Sequence, residues 1–325
     1  MLHAFHMIAA YAPMPMPYNS PPPMTVWSEL IIDAAVPAAL AGCVAVAATV
    51  LVERLGGRIG GLLSSVPTTI VPAAIALHSR CEDPNDFATA MTLVPIGTAL
   101  NAAYLGLWLL LPPIMCSWRA SARAPLAMTL ATAIGAWLIA AFALILLGES
   151  LDFGIEHWRG TALAAILACG TLGVVSNWSP IAAPRGTRRV AAHTLVLRGV
   201  AAATAIGAAV ILARLDIPVA SGLASVFPVI FTTVMVGTWL AQGAAVPRGA
   251  AAPMMLGSTS VGVFAVLTAE LAPNMGVWTS VAIAWLGSVV VVHGPAFLLL
   301  RWRTRAGAQA AMLSDGSMGS RNLRA

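Results

Sequence analysis

Three polar side chains stand inside otherwise apolar stretches of this 325-residue chain, and each is of a type that does chemistry. Asp33 and His293 can exchange a proton, and the carboxamide of Asn101 can donate and accept hydrogen bonds. Each also has a structural interpretation. Asp33 lies near the end of its apolar stretch, where its carboxylate can reach water. Asn101 and His293 could each hydrogen-bond to a neighbouring helix. We treat Asp33 and His293 as candidate coupling groups, and Asn101 as a residue that orients a solute or clamps a helix.

Further polar residues lie in a phrase that the chain uses twice, GLLSSVP at 61–67 and GLASVFP at 222–228. A proline inside a helix leaves the carbonyl four residues earlier without its donor, and in lipid that group needs another partner. The hydroxyls beside these carbonyls could line a solute site, or they could bond their own backbone and pack closely. The candidate solute-binding residues are Ser64, Ser65, Pro67, Thr68, Thr69, Ser225, Pro228, Thr232 and Thr233, together with Asn101 and Ser258.

The stretches that carry these residues are long and apolar enough to cross a bilayer. Apolar residues make up 59% of the chain and charged residues only 9%, whereas a soluble domain carries about a quarter charged residues. The pattern predicts an all-α, polytopic membrane protein. Nine spans are predicted, at 30–52, 61–78, 88–111, 125–147, 160–177, 194–213, 219–241, 251–271 and 276–300.

These spans divide the chain into five parts. The parts are a Met- and Pro-rich tail predicted to be disordered at 1–29, a first four-helix repeat at 30–147, a linking region at 148–193, a second repeat at 194–300 and an arginine-containing tail at 301–325. Met24 could be the true start of the chain. The linking region holds the single span 160–177 and a basic loop.

The arginines orient the predicted spans. With nine spans, fourteen of the seventeen arginines fall on one side of the membrane, and Arg80, Arg159 and Arg214 remain on the other side with most of the acidic residues. Cytosolic loops collect basic residues, so this distribution predicts an outside N-terminus and a cytosolic C-terminus. Which membrane the protein occupies stays open.

The two halves of the chain match each other at an offset of 160 or 161 residues. Arg54-Leu55 meets Arg214-Leu215, the two proline phrases meet, and Ile96-Gly97-Thr98 meets Leu256-Gly257-Ser258. These matches fall in three successive helices. Four spans, one linking span and four spans place the second quartet upside down relative to the first, an inverted 4+1+4 arrangement common in secondary transporters.

Each quartet resembles the small four-helix GlpM family of bacterial inner-membrane proteins. That family carries a Gly-Leu-x-x-x-Phe-Pro phrase in its second helix, matched by 222–228 and less closely by 61–67, where Val66 replaces Phe. Leu256-Gly257-Ser258, in the third predicted helix of the second repeat, also resembles that family. The arrangement further resembles the drug/metabolite transporter superfamily at the level of fold, and the resemblance implies a duplicated, inverted membrane domain.

Function is therefore predicted from architecture. The first hypothesis is a secondary-active or facilitative transporter of a small solute, with its site between the repeats and membrane lipid as its surroundings. The alternative is a membrane scaffold or assembly factor that packs through faces of small residues. A lipid-modifying enzyme would need Asp33 and Glu29 to converge with His78 or His157.

The sequence carries no motif typical of the other functional classes considered. There is no HExxH, GxSxG or P-loop, so no catalytic residue is predicted. The four cysteines are scattered without metal-ligand spacing, so neither a metal nor another cofactor is expected. The basic residues flank predicted spans, which argues against nucleic acid as a partner. Homo-oligomerisation stays open.

Overall fold

The computed structural model describes residues 24–55, 57–78, 84–118, 123–151, 155–179, 181, 192–193, 195–197, 199–201, 203–204 and 227–306. Every regular element among them is helical. The chain divides into two units, Met1–Asp33 and Ala34–Ala325, and the first is described only over the start of helix α1. The second unit holds the packing of the helices.

The described residues form a series of helices, with further helical residues at 192–193, 195–197, 199–201 and 203–204. The helices are α1 (Met24–Leu55), α2 (Gly57–Ser64), α3 (Ile70–His78), α4 (Pro84–Trp118), α5 (Arg123–Leu151), α6 (Ile155–Ser176), α7 (Val229–Gln242), α8 (Ala245–Met275) and α9 (Val277–Ser288). Helix α9 runs on through a π-helical turn at Val289–His293 to residue 306.

Five helices are long and apolar enough to cross a membrane: α4, α5, α6, α8, and α9 with its extension. Their outward faces are themselves apolar, since Ile139, Leu167 and Val290 are each about 70% exposed. Water would disfavour such faces, whereas lipid tails match them. The prediction of an all-α, multi-pass membrane protein is therefore confirmed at this level.

The other predicted spans have a different form. The span at 61–78 is broken into α2 and α3, and only residues 38–52 of α1 form an apolar stretch, shorter than the predicted span. The span at 219–241 is described only from residue 227, and α7 begins there at Val229. The span at 194–213 lies largely outside the described residues, as do the predicted tail up to residue 23 and the end of the chain from 307.

Helices α4 and α8 form the centre of the fold. They make the most extensive helix–helix contact, and α6 packs against both. The most apolar part of α8 is 78% buried, against 28% for α5. Helix α8 approaches α6 closely at Gly173 of α6, where a Cβ would lie 2.6 Å from the Leu256 Cα atom of α8. These are the third predicted span of each repeat and the linking span.

The outer helices cross between the two halves. Helix α5 contacts α7 as well as α4, and α9 contacts α3 as well as α8. The first predicted spans also meet, since a Cβ at Gly42 of α1 would lie 2.8 Å from the Gly199 carbonyl oxygen. The fourth helix of each predicted repeat thus lies against the second helix of the other.

The broken segment α2–α3 extends along α8. Gly61 of α2 touches the start of α8, where an added Cβ would lie 2.8 Å from the Ala250 carbonyl oxygen. At the other end, Ile70 and Ala74 of α3 share a buried apolar cluster with Ala272 near the end of α8. Helix α2 thus lies against the first part of α8, and α3 packs near its end.

Arginines fasten helix ends to one another. Arg58 of α2 donates to the Thr304 hydroxyl at 2.8 Å and to the Ile181 carbonyl at 3.4 Å, and Arg248 donates to the Leu109 carbonyl at 3.0 Å. The start of α2 therefore lies beside the ends of α6 and α9, and the start of α8 lies beside the last part of α4.

Candidate functional site

The first proline phrase forms a compact break between α2 and α3. The chain leaves the helix after Ser64, and the Thr68 amide donates to the Val66 carbonyl at 2.7 Å across Pro67. The carbonyl of Leu63, which loses its donor to Pro67, accepts instead from the Val66 amide at 3.4 Å. The break thus satisfies its own backbone groups over most of its length.

The hydroxyls of this break bond their own backbone. Ser64 donates to the Gly61 carbonyl at 2.8 Å and Ser65 to the Leu62 carbonyl at 2.7 Å, and both serines are buried. Thr68 reaches the Val66 carbonyl at 3.4 Å, and both Thr68 and Thr69 are half-buried. Ser64 and Ser65 therefore offer a solute only acceptor capacity, while the two threonines are the more accessible polar groups.

Helix α8 is shaped to receive the break. A Cβ at Gly257 would collide with the Ser65 hydroxyl and lie 3.0 Å from Leu62. The Ser258 hydroxyl, by contrast, donates to the Met255 carbonyl at 2.8 Å and lies 3.6 Å from the Cys169 sulfur of α6. Ser258 consequently faces the linking helix rather than the break.

A buried carboxamide that the sequence analysis missed lies at the end of α6. The Asn177 amide donates to the Gly173 carbonyl at 2.7 Å and to the Ala252 carbonyl of α8 at 2.8 Å, and the residue is 2% exposed. Asn177 is the last residue of the predicted span 160–177, and its side chain joins α6 to α8.

The second proline phrase has the same backbone turn as the first. The Val229 amide donates to the Phe227 carbonyl at 2.7 Å across Pro228, as Thr68 does to Val66 across Pro67. Pro228 has φ −76° and ψ 40°, near the values of an inverse γ-turn. The last two residues of the second phrase therefore form the same turn as Val66 and Pro67, while residues 222–226 lie outside the described residues.

Large aromatic rings surround this second break. Trp137 of α5 lies edge-on to Phe227, with ring centroids 5.0 Å apart, and its indole donates to the Asn101 carboxamide oxygen at 2.8 Å. Asn101 therefore connects α4 to α5. The geometry matches the helix-clamp interpretation of Asn101.

Two further hydroxyls belong to this second group. Thr232 donates to the Pro228 carbonyl at 2.6 Å, so the Tyr104 hydroxyl, 2.7 Å away, must supply the proton between the two side chains. Thr233 donates to the Ile230 carbonyl at 3.0 Å. Tyr104 lies on α4, and its ring faces Trp108 edge-on at 6.4 Å. Sequence patterns identified Thr232 but not Tyr104.

The predicted site residues thus fall into two groups. Ser64, Ser65, Pro67, Thr68 and Thr69 lie at the first break with His293 close to it, and Asn101, Pro228, Thr232 and Thr233 lie at or near the second. Ser258 faces α6. Ser225, and the side chains of Asp33 and Glu29, lie outside the described residues. Among the described residues, no group of three His, Cys, Asp or Glu side chains is placed to hold a metal ion.

Comparison with known proteins adds no relative. No protein-family model, curated protein or solved structure matches the chain.

Proposed function

We propose that the protein is a membrane transporter of a small solute, built from two inverted repeats and open alternately to either side. The observation that carries the proposal is the pair of proline turns, which contain equivalent hydrogen bonds: the first separates α2 from α3, and the second directly precedes α7. Interrupted helices near the midplane are where secondary transporters hold solutes. The site would lie between the breaks, with Thr68, Thr69 and Thr233 as its accessible hydroxyls.

The helix contacts support the inverted arrangement. The two third helices pair at the centre, and the contact of α5 with α7 is matched by that of α9 with α3. A twofold relation between residues 30–147 and 194–300 requires such reciprocal contacts. We further propose an outside N-terminus and a cytosolic C-terminus, and a relationship of each quartet to the GlpM-like four-helix proteins.

The same contacts suggest how the protein could change conformation. Each break lies against helices of the other half, so rocking one quartet against the other would strain or relax both turns. No step of this scheme needs a catalytic group or a cofactor, and we propose that the protein is not an enzyme.

Ligand-dependent stability tests the transporter proposal. Purified protein in detergent would be unfolded thermally with amino acids, nucleotides, sugars, organic acids and polyamines, one class at a time. A bound solute at 100 times its dissociation constant stabilises the fold by about 2.7 kcal/mol. Thr68→Val and Thr233→Val should weaken the stabilisation, whereas Thr161→Val on α6, whose hydroxyl donates to the Trp158 carbonyl, should leave it unchanged.

A scaffold is the second candidate, and the back-bonded hydroxyls favour it. Ser64, Ser65 and Ser258 all donate within their own helices, and Gly61 and Gly257 permit close packing. A protein that only packs against partner helices needs no hydroxyl that is free to bind a solute. No stabilisation by any solute class, combined with stoichiometric copurification of another membrane protein, would establish this function instead of transport.

A further inference from the structure

The last helix changes pitch beside the first break. Val289–His293 forms a π-helical turn two residues before Pro295. Because proline has no amide proton and crowds the carbonyl four residues earlier, a wider turn lets the helix pass it. The segment after the turn packs on α2 and α8, since Ala296 and Leu300 share a buried cluster with Leu62 and Leu256.

His293 closes this turn and is buried beside the Leu62 backbone. It is 6% exposed, and neither ring nitrogen reaches full hydrogen-bond geometry with a described residue. Its imidazole faces the Leu62 carbonyl, which already accepts from the Ser65 hydroxyl at 2.7 Å and the Ser65 amide at 3.2 Å. His293 and Ser65 therefore converge on one carbonyl at the end of α2.

The charged groups on the helices around His293 are engaged elsewhere. On α2, Arg58 bonds Thr304. On α8, Arg248 bonds the Leu109 carbonyl and Glu270 pairs with Arg159 at 3.2 Å. The arginines of α9 begin two turns later, at Arg301. In the packed arrangement, no described carboxylate lies where it would balance a charge on the imidazole.

We propose that His293 is a proton-binding site that controls the opening of the first break, an inference that rests on the proposed alternating-access function. An uncharged imidazole fits the packed arrangement of α2, α8 and α9. A proton taken up from water leaves a buried cation facing one carbonyl, which is costly without water or a counter-charge.

Protonation therefore favours a conformation in which the break separates from α9 and water enters. The proton returns to water when the imidazole loses it and the helices close again. Because the proton binds the open state more tightly than the closed one, it shifts the population toward opening. Binding of one proton changes the opening equilibrium by at most about tenfold per pH unit.

Amide hydrogen exchange of residues 62–69 tests this with protons as the only ligand. Protein in nanodiscs would be exchanged between pH 8 and pH 5.5, and rates corrected for the intrinsic pH dependence of exchange. We expect protection of this segment to fall by up to about tenfold across the range. The variants His293→Gln and His293→Leu should each remove this pH dependence.

A histidine elsewhere provides the control. His78 ends α3 and stacks edge-on against Phe87 at 4.9 Å, so His78→Gln should keep the wild-type pH dependence at residues 62–69. Protection that is flat with pH in the wild type, or a pH dependence that persists in both His293 variants, would overturn the proposal. Either result leaves the solute-binding test standing, because exchange is measured without solute.

Discussion

The two proline breaks share a backbone turn but differ in what surrounds them. Near Pro67, Ser65 lies on Gly257, the His293 imidazole approaches the same carbonyl as Ser65, and Leu62 joins an aliphatic cluster with Leu256. Near Pro228 the neighbours include aromatic rings, with Phe227 against Trp137 and Thr232 against Tyr104. The same backbone turn therefore lies in two environments, one with an ionisable imidazole and one with aromatic rings joined by hydrogen bonds.

The difference can be followed at matching positions of the two halves. At an offset of 160 residues, Tyr104 corresponds to Phe264, Asn101 to Val261 and Ala133 to His293. The first two exchanges give the second break a hydroxyl and an amide that fasten it. The third gives the first break its only nearby ionisable group among the described side chains. If the breaks act as gates, we expect the first to open more readily than the second.

The largest effect is expected from filling the space at the first break. Gly257→Ala places a methyl group against the Ser65 hydroxyl, and overpacking of this kind costs about 1–3 kcal/mol. Thermal unfolding in detergent would measure the loss, and adding Ser65→Gly should restore most of it. Gly135→Ala is the matched control, because nothing lies within 4 Å of an added Cβ there. Equal effects at Gly257 and Gly135 would contradict the packing described here.

A somewhat smaller loss is expected from breaking the clamp at the second break. Trp137→Phe keeps a ring against Phe227 but removes the donor to the buried Asn101 oxygen. A buried polar group that loses its partner costs about 1–3 kcal/mol. Trp278→Phe, at a residue 71% exposed, should cost much less. Adding Asn101→Leu to Trp137→Phe should recover part of the loss. Failure to recover would contradict a stabilising hydrogen bond between Trp137 and Asn101.

Tyr104→Phe makes the surroundings of the second break more like those of the first, where Phe264 stands at the matching position, and should have a modest effect. It removes one hydrogen bond to Thr232 while Thr232 keeps its bond to Pro228, so the expected loss is about 0.5–1.5 kcal/mol. Hydrogen exchange of residues 227–233 should speed up. Unchanged exchange in this segment would contradict the bond between Tyr104 and Thr232.

The smallest effect is expected from Ser64→Ala. Its hydroxyl donates to a carbonyl one turn earlier in its own helix, and such bonds add little to stability. We expect a change of about 0.5 kcal/mol or less, measured by thermal unfolding. A loss several times larger would show that the Ser64 hydroxyl has a partner across the helices.

Composition and periodicity were sufficient to predict the fold class, because apolar stretches longer than eighteen residues have one stable solution in lipid. The first proline phrase also indicated where a helix breaks, since the missing amide is a property of the residue itself. Length alone did not predict that the segment around Pro67 would form two short helices of eight and nine residues.

Contacts across the fold were harder to predict. Asn177 lies at a span end in sequence yet is buried, because Gly173 brings α6 close enough for its amide to reach the Ala252 carbonyl. Tyr104 is one aromatic residue in an apolar helix, and only the placement of α7 reveals its partner. The choice between a solute-binding and a back-bonded hydroxyl at Ser65 depends on rotamers, which sequence spacing does not specify.

The sidedness of α4 and α8 tests the inverted arrangement most directly. Single cysteines at Asp86, Arg248 and Glu270, and the natural exposed Cys116, would be treated in oriented vesicles with an impermeant thiol reagent, the other cysteines being replaced. The account predicts labelling of Asp86→Cys and Glu270→Cys only from outside, and of Cys116 and Arg248→Cys only from the cytosolic side. Labelling of Asp86→Cys and Glu270→Cys from opposite sides would contradict it.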